Sequence, residues 1–232
     1  MNLVIASLAP VAVVIAYIYT KDKYEKEPRH LLVYNFLLGA VVSVVLTFIL
    51  NYFVTFLLPL KDRFSVFEQF VQAFFVVALV EEFSKYVIVR YYAQTRKHFN
   101  EPFDGIVYAV MVSMGFAAVE NIIYVFSGGG LQTAAVRALT AVPAHATFGI
   151  IMGYFMGKAK FNGKRINDNL IGLFFAIIFH GAYDFFLFIN FIPGISIGAF
   201  VSLVVGLILA GRAIRIHQKN SFFNPSNHDN TH

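Results

Sequence analysis

The sequence predicts an all-α fold: a polytopic transmembrane helix bundle of about seven spans, N-terminus outside and C-terminus cytoplasmic. Three observations predict it. Of the 232 residues, 58% are hydrophobic and only 13% are charged, against roughly 25% charged in a soluble domain. The apolar residues fall into runs near the ~20 residues that a helix needs to cross hydrocarbon. The basic residues collect in alternate loops, as they do in membrane proteins.

The runs cover residues 3–20, 31–58, 67–90, 105–126, 134–157, 170–190 and 194–211. The first lacks a basic n-region and a small-residue cleavage site, so it reads as a retained anchor and not as a removed signal peptide. The second is long enough to tilt in the bilayer. The fifth and seventh are interrupted by small and polar residues. One set of loops holds Lys21, Lys23, Lys26 and Arg29; Arg90, Arg96 and Lys97; Lys158, Lys160, Lys164 and Arg165; and Arg212, Arg215 and Lys219. The opposite loops hold only Lys61 and Arg63. This asymmetry sets the orientation and supports an odd number of spans. It also argues against nucleic acid as the partner of the +5 net charge. Residues 1–211 form a single integral-membrane domain on this reading, and 212–232 an Asn- and His-rich cytoplasmic tail expected to be disordered. Cysteine is absent, which excludes disulfides, a thiol nucleophile and thiolate-bound metal.

Ionisable residues inside the apolar runs carry the functional signal. Glu81, Glu82 and Lys85 lie in the third run, Glu120 in the fourth, His145 in the fifth, and His180 with Asp184 in the sixth. A charge at the bilayer centre costs roughly 2.5–3.5 kcal/mol or more, and such residues mark functional sites. Glu81 and Lys85 share a helix face, as do His180 and Asp184. Glu82 is turned about 100° from Glu81, so Lys85 cannot pair equally with both. An Asp one turn from a His can fix the ring's tautomer. His145 has no acidic neighbour in sequence, and its partner must come from another helix. Four carboxylates face two cations, Lys85 and Arg137. Protonated carboxyls, imidazolium or a divalent ion must neutralise the difference.

Familiar protease signatures are missing: neither HExxH nor GxGD occurs. Gly194-Ile195-Ser196-Ile197-Gly198 matches GxSxG but opens a membrane helix, without the strand–turn–helix context of a serine nucleophile. What remains is Glu81-Glu82-x-x-Lys85, Phe116-x-x-x-Glu120-Asn121, the lone His145, and His180-Gly181-x-x-Asp184. With Lys21–Pro28 (KDKYEKEP), Phe103-Asp104-Gly105-Ile106-Val107-Tyr108 and Arg137-Ala138-Leu139, the chain resembles the PrsW protease family. That family is related to CAAX-prenyl endopeptidases and bacteriocin-processing membrane proteases. Compared with the EExxxR, FxxxH and HxxxN/D motifs of the wider superfamily, Lys85 is one position closer to the Glu pair. Glu120 stands where a His is expected, and His145 is the candidate to supply that imidazole.

The resemblance implies a membrane-embedded endopeptidase of the bacterial cell membrane. It would make the first (site-1) cut in a membrane-anchored anti-sigma factor, on the extracytoplasmic side. Peptide hydrolysis needs an activated water, an oxyanion stabiliser and a proton donor. Glu81 is the expected base, Lys85 orients the Glu pair, and Asp184 orients His180. His145 and His180 either stabilise the oxyanion or bind zinc, with Glu120 as third ligand. All these groups are expected around one polar cavity near mid-membrane. The alternatives from other classes are a proton-coupled transporter or channel using the same residues as a relay, and a non-enzymatic sensor or scaffold. The inverted repeats and broken helices expected of a transporter are not visible in the sequence.

Overall fold

The computed structural model describes residues 2–227. Among them the chain forms helices α1 (Leu3–Lys21), α2 (Arg29–Leu57), α3 (66–91), α4 (Pro102–Tyr124), α5 (Gly130–Leu139), α6 (Ala141–Phe161), α7 (Arg165–Phe188) and α8 (Ile197–Lys219). Short 3₁₀ turns occur at Ala93–Thr95 and Pro225–Asn227. Five segments are long and apolar enough to cross a membrane; one of them, Pro102–Phe161, includes α4, α5 and α6. That stretch kinks at Ser127 and Gly128, where the backbone leaves helical geometry. Helix α3 is of similar length, but its carboxylates and lysine keep it out of the apolar set.

The fifth predicted span divides differently. Residues 130–139 form the separate helix α5, and α6 begins only at Ala141, because Thr140 has non-helical φ −125° and ψ −73°. Pro143 then sits in the first turn of α6, where its missing N–H costs no helical bond. At the other end, α8 runs beyond Arg212 to Lys219, and His217 is buried, stacked on Tyr154 and bonded to its carbonyl. The rest of the tail, from residue 228, with His228 and His232, lies outside the described residues.

Helix α4 is the centre of the bundle. It is apolar on all sides, and nearly every residue from Pro102 to Ala118 is buried, as expected of a helix without a polar stripe. Glycines let its neighbours touch its backbone. A Cβ on Gly153 of α6 would lie 2.3 Å from the Gly105 carbonyl oxygen, and one on Gly39 of α2 would lie 2.0 Å from that of Val112. Gly149, Gly153 and Gly157 repeat every fourth residue along α6, the small-residue pattern by which membrane helices approach closely. The outer half of α2, by contrast, has no buried residue from Val44 to Leu57 and turns Phe48, Tyr52, Phe53 and Phe56 outward.

Two motifs at the basic end are structural. Asp104 accepts the N–H groups of Asn100 and Glu101 at 2.7 and 2.8 Å, capping α4. Tyr108 donates its hydroxyl to Glu27, tying the loop after α1 to α4. Burial pushes the carboxyls of Asp22 and Glu101 up to about 6 and about 7. Burial, then the nearby Asp104 carboxylate, raises Glu27 further still.

Candidate active site

Each functional side chain is placed by a helix contact. Residues Gln72–Ala78 of α3 form a π-helical stretch immediately before the Glu pair, a local widening often found beside functional sites. Phe74 of that stretch fills the space where a Cβ of Gly181 would lie, 2.4 Å from its ring carbon. Glycine beside His180 therefore lets α3 press against α7 and brings Glu82 to the imidazole. On the other side, Ser113 of α4 donates to the His145 carbonyl at 2.7 Å. Ser84 of α3 joins Ser43 and Thr47 of α2, each at 2.8 Å.

The result is one connected polar cluster. Glu82 is fully buried, and its Oε1 accepts from Lys85 Nζ at 2.7 Å and meets His180 Nδ1 at 2.8 Å. Lys85 lies farther from Glu81, at 3.6 Å, so the lysine pairs unequally as the helical spacing requires. It also lies 4.3 Å from the Phe116 ring centroid and 3.3 Å from His145 Nδ1. An ammonium has no lone pair to offer. His145 Nδ1 is therefore the acceptor, the ring proton sits on Nε2, and Nε2 donates to Glu120 Oε2 at 2.8 Å. The partners of His145 do come from other helices. His180 Nε2 faces Asp184 at 3.3 Å, and the two imidazole centroids are 5.4 Å apart. Phe148 stacks on His180 at 4.7 Å.

Glu81 differs from Glu82. It lines a cavity of about 380 Å³ together with Glu120, His145, His180 and Asp184. Neither its Oε2, 3.6 Å from Lys85, nor Glu82 Oε2 accepts a hydrogen bond from the protein; what separates the two is that Glu81 alone lines the cavity. The seven sequence-predicted residues thus converge, five of them on the cavity wall and Glu82 and Lys85 just behind it. Their positions along the helices differ: Glu81 lies fifteen residues into α3 and His180 eight from the end of α7, while the other three lie nearer a helix end. Glu120 lies four residues from the end of α4, His145 four from the start of α6, and Asp184 four from the end of α7. At 1.5 Å per residue this is about 6 Å from three helix ends. All three ends face away from the loops that hold most basic residues. Helix α5 sets this depth by taking the first turns expected of the fifth span.

Arg137 of α5 is a site residue that the sequence marks as a cation and places in a motif, but that lies outside the expected catalytic set. It bonds Glu120 at 2.5 Å and Asn121 at 2.7 Å, and lies over the Tyr124 ring at 4.3 Å. Its signal was present as an unpaired positive charge in an apolar run. Asn51 of α2 also lines the cavity, and nothing in its local sequence marks it. Ser196 is the N-cap of α8, outside the cavity lining; Gly194 before it turns at φ +78°.

Glu81, Glu82, His145 and His180 could hold a metal ion, since each offers one donor atom and these lie within 4.8 Å of one another. The donor chemistry fits a divalent cation. The side chains also carry the usual outer support, Glu120 behind His145 and Asp184 behind His180. In this structure Lys85 pairs with Glu82 and Glu81 and meets His145. Glu120 is engaged by Arg137 and His145 and does not join the donor group.

Comparison with known proteins agrees with this geometry. Residues 27–210 match the model of the PrsW family intramembrane metalloprotease. A Protease PrsW of Geobacillus kaustophilus is 38% identical over 201 residues, 86% of each chain. One from Oceanobacillus iheyensis is 37% identical over 188 residues, 81% of this chain and 83% of the relative. That of Bacillus subtilis is 37% identical over 184 residues, 78% of this chain and 81% of the relative. No solved structure matches the chain. The match spans the buried helices and every residue of the Glu/His cluster, and the chain belongs to the PrsW family of intramembrane proteases.

Proposed function

We propose that this peptidase makes the first cut in a membrane-anchored anti-sigma factor, on the extracytoplasmic side, with Glu81 as general base. The observation that carries the reading is the contrast between the two glutamates. Glu82 is locked behind the cavity wall by Lys85 and His180, whereas Glu81 lines the cavity and is held only by the longer, 3.6 Å ion pair to Lys85. A base must have a free lone pair within reach of water. Glu81 therefore takes the proton of the attacking water. Lys85 and Glu82 hold the cluster's charge balance and fix the face that Glu81 presents. His180, steadied by Asp184, and His145, steadied by Glu120, either present imidazoles to the oxyanion directly or serve as metal ligands. Arg137 holds the Glu120 carboxylate in place. A divalent ion, zinc by the nature of the donors, would be held by His145, His180 and a carboxylate of the Glu pair, and would polarise the scissile carbonyl and acidify water. The extracytoplasmic side is supported by Glu120, His145 and Asp184, which lie near the helix ends away from most basic loops, under the positive-inside rule.

Purified protein in detergent, incubated with a single-span peptide carrying the membrane-proximal segment of an anti-sigma factor, tests the reading. Cleavage should occur and should vanish in Glu81→Gln, while Ser196→Ala keeps full activity. Dialysis against a strong chelator should abolish cleavage and added zinc should restore it. An unchanged rate after chelation, with well under one metal per chain, would assign oxyanion stabilisation to the two imidazoles alone. A fully active Glu81→Gln would remove the base.

A further inference from the structure

We propose that Asn51 is a substrate-binding residue, accepting a main-chain N–H from an unwound peptide segment beside the scissile bond; this rests on the protease reading above. The outer half of α2 is a lipid-facing strip in which Phe48, Tyr52 and Phe56 are 60%, 72% and 80% exposed. The hydroxyls of its two threonines are satisfied: Thr47 pairs with Ser84, and Thr55 bonds the carbonyls of Asn51 and Tyr52. The Asn51 side chain is different. It turns inward to line the same cavity as Glu81 and His180, and its Oδ1 is buried with no donor from the protein. A carboxamide oxygen withdrawn from water and left without a donor is costly. A leucine there would pack better and expose nothing polar, so packing does not account for the asparagine.

The ligand class follows from the chemistry of the reaction. A membrane segment must leave the helical state before its peptide bond can be attacked. Each residue that unwinds frees an N–H that has no water to bond in an apolar setting. An amide oxygen on the cavity wall meets that need without regard to the substrate's side chains. Asn51 sits on a different helix from every member of the Glu/His cluster. The peptide would then be held from the α2 side while Glu81 acts from α3. Around Glu81, α3 is already widened by its π-helical stretch, and Val77 of that stretch shares the cavity lining.

The test uses stability and turnover together. Asn51→Leu should lower kcat/KM for the single-span anti-sigma peptide by about tenfold, the worth of one hydrogen bond. Its unfolding temperature in the same detergent should equal or exceed that of the wild type, because an orphaned polar atom has been removed. Asn51→Gln should recover part of the rate. Methylating single backbone nitrogens of the peptide should reveal one position where the wild type loses about tenfold and Asn51→Leu loses nothing further. Wild-type rates in Asn51→Leu, or loss of rate together with a lower unfolding temperature, would overturn the proposal. So would additive penalties at every methylated position. A wild type that cleaves no such peptide would instead refute the protease substrate reading, and this inference with it.

Discussion

Removing the Glu82 carboxylate should silence the protein and destabilise it far more than removing Glu81 does. Glu82 and Lys85 are 0% and 2% exposed, and their oxygen and nitrogen are 2.7 Å apart. Glu82→Gln leaves Lys85 charged in the interior with only Glu81, at 3.6 Å, to balance it. Breaking one side of a buried pair costs about 3–5 kcal/mol. For a chain of this size that is a fall in unfolding temperature on the order of 10 °C. Lys85 would also move toward Glu81 and occupy the lone pair that the base needs, so cleavage should drop below detection. Glu82→Gln combined with Lys85→Met removes both charges and should recover most of the stability with none of the activity. Glu81→Gln should lower the unfolding temperature much less, since Glu81 Oε2 has no hydrogen bond to lose and its ion pair to Lys85, at 3.6 Å, is the longer of the two. Thermal unfolding in detergent, followed by intrinsic tyrosine fluorescence or light scattering, measures all four proteins. A Glu82→Gln variant as stable as wild type, or a double variant less stable than the single one, would refute the charge-balance argument.

Two further expectations concern the frame around the site. The raised carboxyls of Asp22 and Glu101, at about 6 and about 7, bind protons more tightly folded than unfolded. Their contribution to stability is complete near pH 4 and is lost as pH rises through about 7; a Glu101→Gln variant should show a shallower fall over that range in a pH series of unfolding temperatures, and an unchanged profile would refute the assignment. Gly153→Val should lower stability and activity together, because its Cβ would meet the Gly105 carbonyl oxygen at 2.3 Å, whereas Gly211→Ala, with no neighbour within 4 Å, should change neither; a stable Gly153→Val would show that α4 and α6 can part without loss.

Much of this arrangement was legible in the residues. Ionisable side chains in apolar runs marked the site, and helical spacing foretold that Lys85 would favour one glutamate and that Asp184 would reach His180. What spacing could not supply were pairings between helices. Nothing local to Glu120 says that Arg137 will clamp it, because the contact exists only once α5 folds back beside α4. The break at Thr140 was likewise hidden: a threonine is compatible with a helix, and the break depends on where α5 ends. Asn51 was invisible for a related reason. A single amide in an apolar helix reads as incidental until its neighbours are known. Asp104 shows another case: it stands in a motif that carries the resemblance, and its bonds show a helix cap.

The position of Glu120, His145 and Asp184 has a consequence for whatever is cut. These three lie about 6 Å, or one helical turn, inside three helix ends, whereas Glu81 sits fifteen residues into α3, so the cavity reaches inward from one end of the bundle. A chain entering by that end would unravel as far as Glu81, and the remainder of its membrane segment would stay helical beside the bundle.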